Sequence, residues 1–514
     1  MANAAKSPKP TLARRSAGVL LHPTSLPGPH GCGDLGDEAY RFVEFLRSAG
    51  MRWWQLLPTT PIGPANSPYS SCSAFAGEPL LINLDFLADE ELLDDADLAP
   101  PRGFDRDRVK YGDTMAFRHA RLKTAYERFT KLGDGEMRED FERFCEDEAS
   151  WLDDFSLFFA IKQMHRGKPW TTWQPDLRDC KPAASKAARE KLHAAIEYEK
   201  FVQFLYDRQW NALRHYCGIC NVGIIGDLPI FVTHDSADVW ARRELFLLDR
   251  DGRAKLISGC PPDAMFTNGQ RWGHPHYAWP AHAREGFAWW VRRFAEMFKR
   301  FDAVRIDHFL GFHQTFQIPA RAKHTEGGKY VPTPGDALFS AVRRALGKLE
   351  IVAEDLGNVT DGAIKLRDKH KMPGMRVIQN AFWDGARYDQ PHNYPVGSAA
   401  YTGTHDTDTV VGWYRDFSSK RGKGGDGLTN LERIHRYLDR PTSKDIHWGF
   451  IRLVMASPAS TAIVPMQDLL GLGSEARMNI PATVKKNWEW RMRSGAASEK
   501  IAERLRRMCQ AYER

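Results

Sequence analysis

Short apolar runs alternate along this chain with stretches of helical period, and eight of the runs can be set out in order as strands: AGVLLH (17–22), WWQLLP (53–58), GIIGDLPIFV (223–232), DAVRID (302–307), EIVAED (350–355), MRVIQNAF (375–382), AAYTGTHD (399–406) and TAIVPMQD (461–468). Runs of this length bounded by turn residues read as buried strands. Between them EAYRFVEFLRSAG (38–50) places Phe42, Phe45, Leu46 and Ala49 on one helical face, with Gly50 as the stop. FAWWVRRFAEMFKRF (287–301) repeats the pattern through Trp290, Phe294, Met297 and Phe298, just ahead of the next strand. Eight strands interleaved with helices predict an α/β chain, a (β/α)8 TIM barrel with inserted, mainly helical subdomains and long substrate-binding loops.

The spacing also predicts where the insertions fall. Residues 1–15 are expected as a flexible N-terminus and 16–514 as a single catalytic barrel. A helical subdomain is expected over about 62–215, a loop-rich insertion over about 233–286, and a polar excursion over about 413–447. The second of these holds GCPPDAMFTNGQRWGHPHYAWP, whose composition is that of loop rather than helix. A long ordered loop at the carboxyl end of barrel strands is a usual place for substrate recognition.

Composition narrows the class. At 514 residues the chain buries a large core, and the 16 tryptophans read first as core residues and only second as platforms for sugar rings. The net charge of +7 arises from 72 basic and 65 acidic residues that are intermixed, so a nucleic-acid partner is not indicated. Eight cysteines (Cys32, Cys72, Cys145, Cys180, Cys217, Cys220, Cys260 and Cys509) show no disulfide framework, and the Cys217/Cys220 pair lacks the further ligands of a zinc site. With no signal-like segment and no uninterrupted run of 18 apolar residues, a cytoplasmic, membrane-free protein is expected.

The chemistry-bearing feature is a carboxylate at the end of three runs: Asp307, Glu354 and Asp406. Retaining glycosyl transfer needs two carboxyl groups roughly 5 Å apart, and neighbouring strands lie about 4.8 Å apart, so Asp307 and Glu354 on consecutive strands fit. Arg305 shares a strand face with Asp307 and is expected to hold it ionised, although a purely structural buried ion pair accounts for the same spacing. Glu354 is followed by Asp355, and only one of the two can face the site; parity alone leaves the choice open. His405 beside Asp406 suits gripping hydroxyls and developing positive charge. The carboxylates by themselves reach as far as a retaining glycosidase, and no metal or other cofactor is implied.

The markers GDLG (33–36), NSPYS (66–70), GDLPIFV (226–232), PPDAMFTNGQRWGHPHY (261–277), VRIDHF (304–309), AEDLG (353–357), GTHDTDT (403–409) and RMNIPAT (477–483) occur here in one order. In that order the chain resembles the 4-alpha-glucanotransferases, the amylomaltase or disproportionating enzymes, from about residue 16 to 495. The resemblance implies transfer of a (1→4)-α-D-glucan segment to the 4-hydroxyl of glucose or another glucan, with maltooligosaccharides, amylose or glycogen-derived glucans as donors. It implies Asp307 as nucleophile, Glu354 as general acid and then base, and Asp406 as stabiliser of the distorted sugar. Arg305, His308 and His405 are then contacts of the central glucose. The same resemblance implies that Tyr69 stacks on the donor chain and that Asp227 meets donor-side hydroxyls. Gln270 and Trp272 lie near acceptor sites, and Asn479 and Pro481 belong to a carboxyl-terminal part of the cleft. Ala482 stands where the family usually has glycine, which is harmless at an ordinary backbone angle and costly at positive φ. The rival readings are an α-glucan hydrolase with the same acids and a catalytically silent glucan-binding protein.

Overall fold

The computed structural model describes residues 10–514 apart from 132–134, 263–266, 421 and 439–444. Eight strands close a barrel: β1 (Ser16–Leu20), β2 (Trp53–Gln55), β3 (Gly223–Leu228), β4 (Ala303–Ile306), β5 (Ile351–Ala353), β6 (Gly374–Val377), β7 (Ser398–Tyr401) and β8 (Thr461–Pro465). All are parallel and follow chain order around the ring, with β8 against β1. Each expected run contributes one strand, and each strand stops short of the end of its run. Pro229 has no N–H with which to extend β3. After β6 the backbone tightens into a 3-10 turn, Ile378–Phe382. After β7 it leaves the sheet at Thr402, so Asp406 rides on a loop and not on a strand end.

Strand register sets the functional end of the barrel. Asp227 of β3 pairs with Arg305 of β4, and Ile306 of β4 with Ala353 of β5. The ladder runs one step further: Asp307 N–H donates to Leu228 O at 3.0 Å and Glu354 N–H to Ile306 O at 3.1 Å. Asp307 and Glu354 are therefore neighbours held by the sheet itself.

Between β2 and β3 lie the helices Tyr111–Phe129, Glu136–Asp147, Ala149–Met164, Pro182–Lys191 and His193–Ile219. Phe129, Phe141, Phe201 and Phe204 form an aromatic core among them. The last helix leads into β3, and Trp210 on it packs against Phe301 of the barrel layer. Cys217 and Cys220 end that helix as buried free thiols. The segment after β3 is not only loop: Leu256–Cys260 and Gln270–Pro275 join Gln314–Pro319 and Lys329–Pro332 in a four-stranded antiparallel sheet. Its strands are short and carry few apolar residues (Ile257, Phe316 and Ile318 are its core), so periodicity did not expose them. The N-terminal stretch expected to be flexible is tied down from Leu12, which is buried and donates its N–H to Glu350. Residues 1–9 lie outside the described residues, as does part of the 261–277 marker. Among the described residues no helix is long and apolar enough to cross a membrane.

Gly226 shows how tightly the barrel is built around the site. It alternates with Asp227, so its missing side chain faces the outer layer, where a Cβ would stand 2.3 Å from the Phe301 ring. Gly226→Ala should lower unfolding stability by about 1–3 kcal/mol, read as a shift of the denaturant midpoint at unchanged slope.

Candidate active site

Arg305 is buried at the centre of the carboxyl end of the barrel. Its Nη1 donates to both oxygens of Asp227 at 2.7 Å and to Asp307 Oδ1 at 3.2 Å, and its Nη2 lies 2.9 Å from Glu354 Oε2. The side chains of Asp307, Glu354 and Asp406 are 26%, 20% and 42% exposed, so they line a floor that an incoming sugar can reach. The parity question at Glu354 is answered by its neighbour: Asp355 turns outward to Arg367, Arg376 and the N–H of Met375.

The charges are not distributed as the Arg305-x-Asp307 spacing suggested. Burial and the Glu354 charge hold the Asp307 carboxyl well above the usual carboxylate range, and Arg305 only partly offsets them because it is shared with Asp227 and Glu354. At Glu354 burial also opposes the charge, but Arg305 and the N–H of His308, at 2.6 Å, outweigh it and bring that carboxyl below its ordinary value. At Asp406 His405 and Asn479 outweigh burial and bring the carboxyl down to about 2. One guanidinium shared among Asp227, Asp307 and Glu354 cannot offset burial at all three, and of the neighbouring pair Asp307 and Glu354 it is Asp307 that stays raised.

The remaining expected residues gather round this centre. His308 takes a left-handed backbone, φ 49°, which aims its N–H at Glu354, and its ring meets Trp272 edge-on at 4.8 Å. Trp272 in turn donates to Gln270 Oε1 at 3.2 Å, so the small sheet delivers both residues to the side of the cluster where His308 stands. Tyr69 donates its hydroxyl to Asp227 at 2.7 Å and stacks on His405, with ring centroids 4.9 Å apart. His405 Nε2 lies 3.4 Å from Asp406, and Asn479 donates to Asp406 Oδ1 at 2.6 Å. Pro481 lies two residues beyond Asn479 and makes no hydrogen bond to the cluster among the described residues.

Several contributors were not read from the sequence. Tyr401 donates to Gln55 at 3.0 Å beneath the cluster, and Gln55 was legible only as a lone polar residue inside an apolar strand. Trp488 packs against both Tyr69 and His405 at 5.7 and 5.9 Å, and Arg477 donates to the backbone carbonyl of Asp406 at 2.6 Å. Nothing in the local sequence marks Trp488, because the fold returns it to the site from a turn-rich segment.

This geometry agrees with what the chain is similar to. A family model described as 4-alpha-glucanotransferase matches residues 21–497. The chain belongs to that family. A 4-alpha-glucanotransferase of Thermus thermophilus is 43% identical over 97% of this chain and 99% of its own length. One from potato, Solanum tuberosum, is 40% identical over 98% of this chain and 87% of its own. An amylomaltase from Streptococcus agalactiae, solved in complex with acarbose, superposes with a TM-score of 0.92 at 35% identity, covering 98% of this chain and all of that one. This 4-alpha-glucanotransferase is thus an enzyme that transfers glucan segments by a retaining mechanism, with α-glucans as donors and acceptors.

At Ala482, where the sequence reading expects glycine, φ is +64°, the costly case. Lys486 and Trp488 on the same loop are left-handed as well, at 62° and 66°. Ala482→Gly should relieve the strain and raise stability by about 1 kcal/mol, seen as a higher thermal midpoint.

Proposed function

We propose that Asp307 attacks the anomeric carbon, that Glu354 protonates the departing oxygen and later deprotonates the acceptor, and that Asp406 holds the distorted donor sugar. The register that sets Asp307 beside Glu354 across β4 and β5, with Arg305 spanning both, is the observation that carries this reading. A (1→4)-α-glucan such as a maltooligosaccharide binds with its donor part over Tyr69, Asp227 and His405. Its reducing-end part lies toward Trp272 and Gln270. The released non-reducing segment stays on Asp307 as a glycosyl ester until the 4-hydroxyl of glucose or another glucan takes it, restoring the original anomeric configuration.

The first step needs Asp307 ionised and Glu354 protonated. A sugar ring laid against Glu354 removes water from it and raises its carboxyl, which moves it toward the acid that the first step needs. Asp406, ionised throughout, faces the positive charge that develops on the ring. Transfer prevails over hydrolysis when the acceptor sugar displaces water from the cleft.

Asp307→Asn should lower maltotriose disproportionation by at least about a thousandfold without changing the thermal midpoint by more than a few degrees; retained activity would remove Asp307 from the nucleophile's place. Glu354→Gln should fail on maltotriose yet accept α-maltosyl fluoride, whose leaving group needs no acid. A glycosyl adduct should then accumulate on the peptide containing Asp307, detected by mass spectrometry. The pH profile of kcat/KM should be bell-shaped. Its acid limb reports a second proton entering at Glu354, whose carboxyl is held below 4.5, so activity rises with pH in that region. Its alkaline limb reports loss of the last proton from Asp307, held well above 3.8, so activity falls there. A profile without an alkaline limb would contradict a single shared proton.

A further inference from the structure

The connection after β6, residues 378–397, lies at the same end of the barrel as the acids and carries two aromatic side chains that the core does not use. Trp383 is 52% exposed and Tyr388 84% exposed. Trp383 is not a loose surface residue. Phe417 braces it edge to face at 4.8 Å and is itself stacked on Trp413 at 4.9 Å. Beside the indole is a cavity of about 320 Å3 lined also by Asp384, Arg387, Gln390 and Arg436. Asp384 is fixed there, accepting from the N–H of Gly425 at 2.6 Å. The side chains of Arg387 and Gln390 make no hydrogen bond or ion pair among the described residues, whereas Arg436 faces the charges of Asp426 and Glu432. A braced indole next to uncommitted planar donors and a fixed carboxylate suits a ligand with an apolar face and a rim of hydroxyls. A pyranose ring has that form, and this enzyme's substrate is a chain of them.

The site is close to the chemistry. Gln379, in the 3-10 turn before Trp383, donates its amide to Thr402 O at 3.2 Å and to Asp408 O at 2.9 Å, on the loop that carries Asp406. At about 2 Å per residue of 3-10 rise, Trp383 stands about 8 Å along the turn from that anchor. We propose that this cavity is a distal glucan-binding site, with Trp383 as the platform for a remote ring of a long α-1,4-glucan whose reacting end lies at Asp307. It rests on the catalytic reading above for the position of that end. Its consequence is chain-length preference: remote contacts add binding energy for long donors that short ones cannot collect.

The test compares kcat/KM on maltotriose with kcat/KM on amylose in the full-length enzyme and in Trp383→Ala, Trp383→Phe and Arg387→Ala. The amylose-to-maltotriose ratio should fall about tenfold in Trp383→Ala, stay near the native value in Trp383→Phe and fall part-way in Arg387→Ala. An unchanged ratio in Trp383→Ala, whatever its absolute activity, overturns the site. Should that variant fold poorly by circular dichroism, the Arg387→Ala ratio decides in the same way. Because the ratio is insensitive to the catalytic step that both donors share, failure of the distal site and failure of the Asp307 assignment give different results.

Discussion

One buried guanidinium organises the reaction centre. Arg305 spans three strands' worth of carboxylate, touching Asp227 from β3, Asp307 from its own strand and Glu354 from β5. Carboxylates packed this closely repel one another, and the shared cation offsets part of that repulsion and of the burial that opposes their charge. With it, the Glu354 carboxyl is brought below its ordinary range while Asp307 stays above its own, so two acids on neighbouring strands are held in different ranges. A double displacement draws on a pair of carboxyls whose surroundings set them apart in this way. The parallel sheet makes this possible because its register fixes the three acids relative to the arginine through backbone hydrogen bonds, not through flexible loops.

Around that rigid centre the second part of the cleft is built differently. Asp406 sits on a loop, and its position is set by what reaches it: His405 and Asn479 at the side chain, Arg477 at the carbonyl. The 478–488 loop, which carries Asn479, also sends Trp488 back against Tyr69 and His405, so Tyr69 and Asp406 share one support. Three non-glycine residues of this loop adopt left-handed backbone angles. Strain of that kind persists where surrounding contacts over-determine the backbone. Here the Asn487 side chain holds the N–H of Ile480, the N–H of Trp488 reaches Met478, and Tyr111 donates to the Trp488 carbonyl.

What could be read from the chain alone follows from periodicity and from spacing within a strand. The eight buried runs became the eight barrel strands, and the helix before β4 carries its apolar face as expected, with Trp290, Phe294 and Met297 buried. The period of two placed Arg305 and Asp307 on one face. The ordered family markers assigned Glu354 over Asp355, which strand parity had left open. The small antiparallel sheet escaped because its strands are too short and too polar to show alternation, and Trp488 escaped because no local pattern distinguishes a residue that joins the site only through the fold.

By itself, then, the sequence determined the barrel and its strand order, and it pointed to Asp307 and Glu354 as neighbours at strand ends, since these depend on hydrophobic pattern and on the period of two within a strand. Only the tertiary structure decided how the charge is shared. Arg305 was expected to serve Asp307, and it serves Asp227 and Glu354 more closely. The reason is physical: the protonation state of a buried carboxyl depends on the sum of burial and every nearby charge, and those neighbours come from strands far apart in the chain.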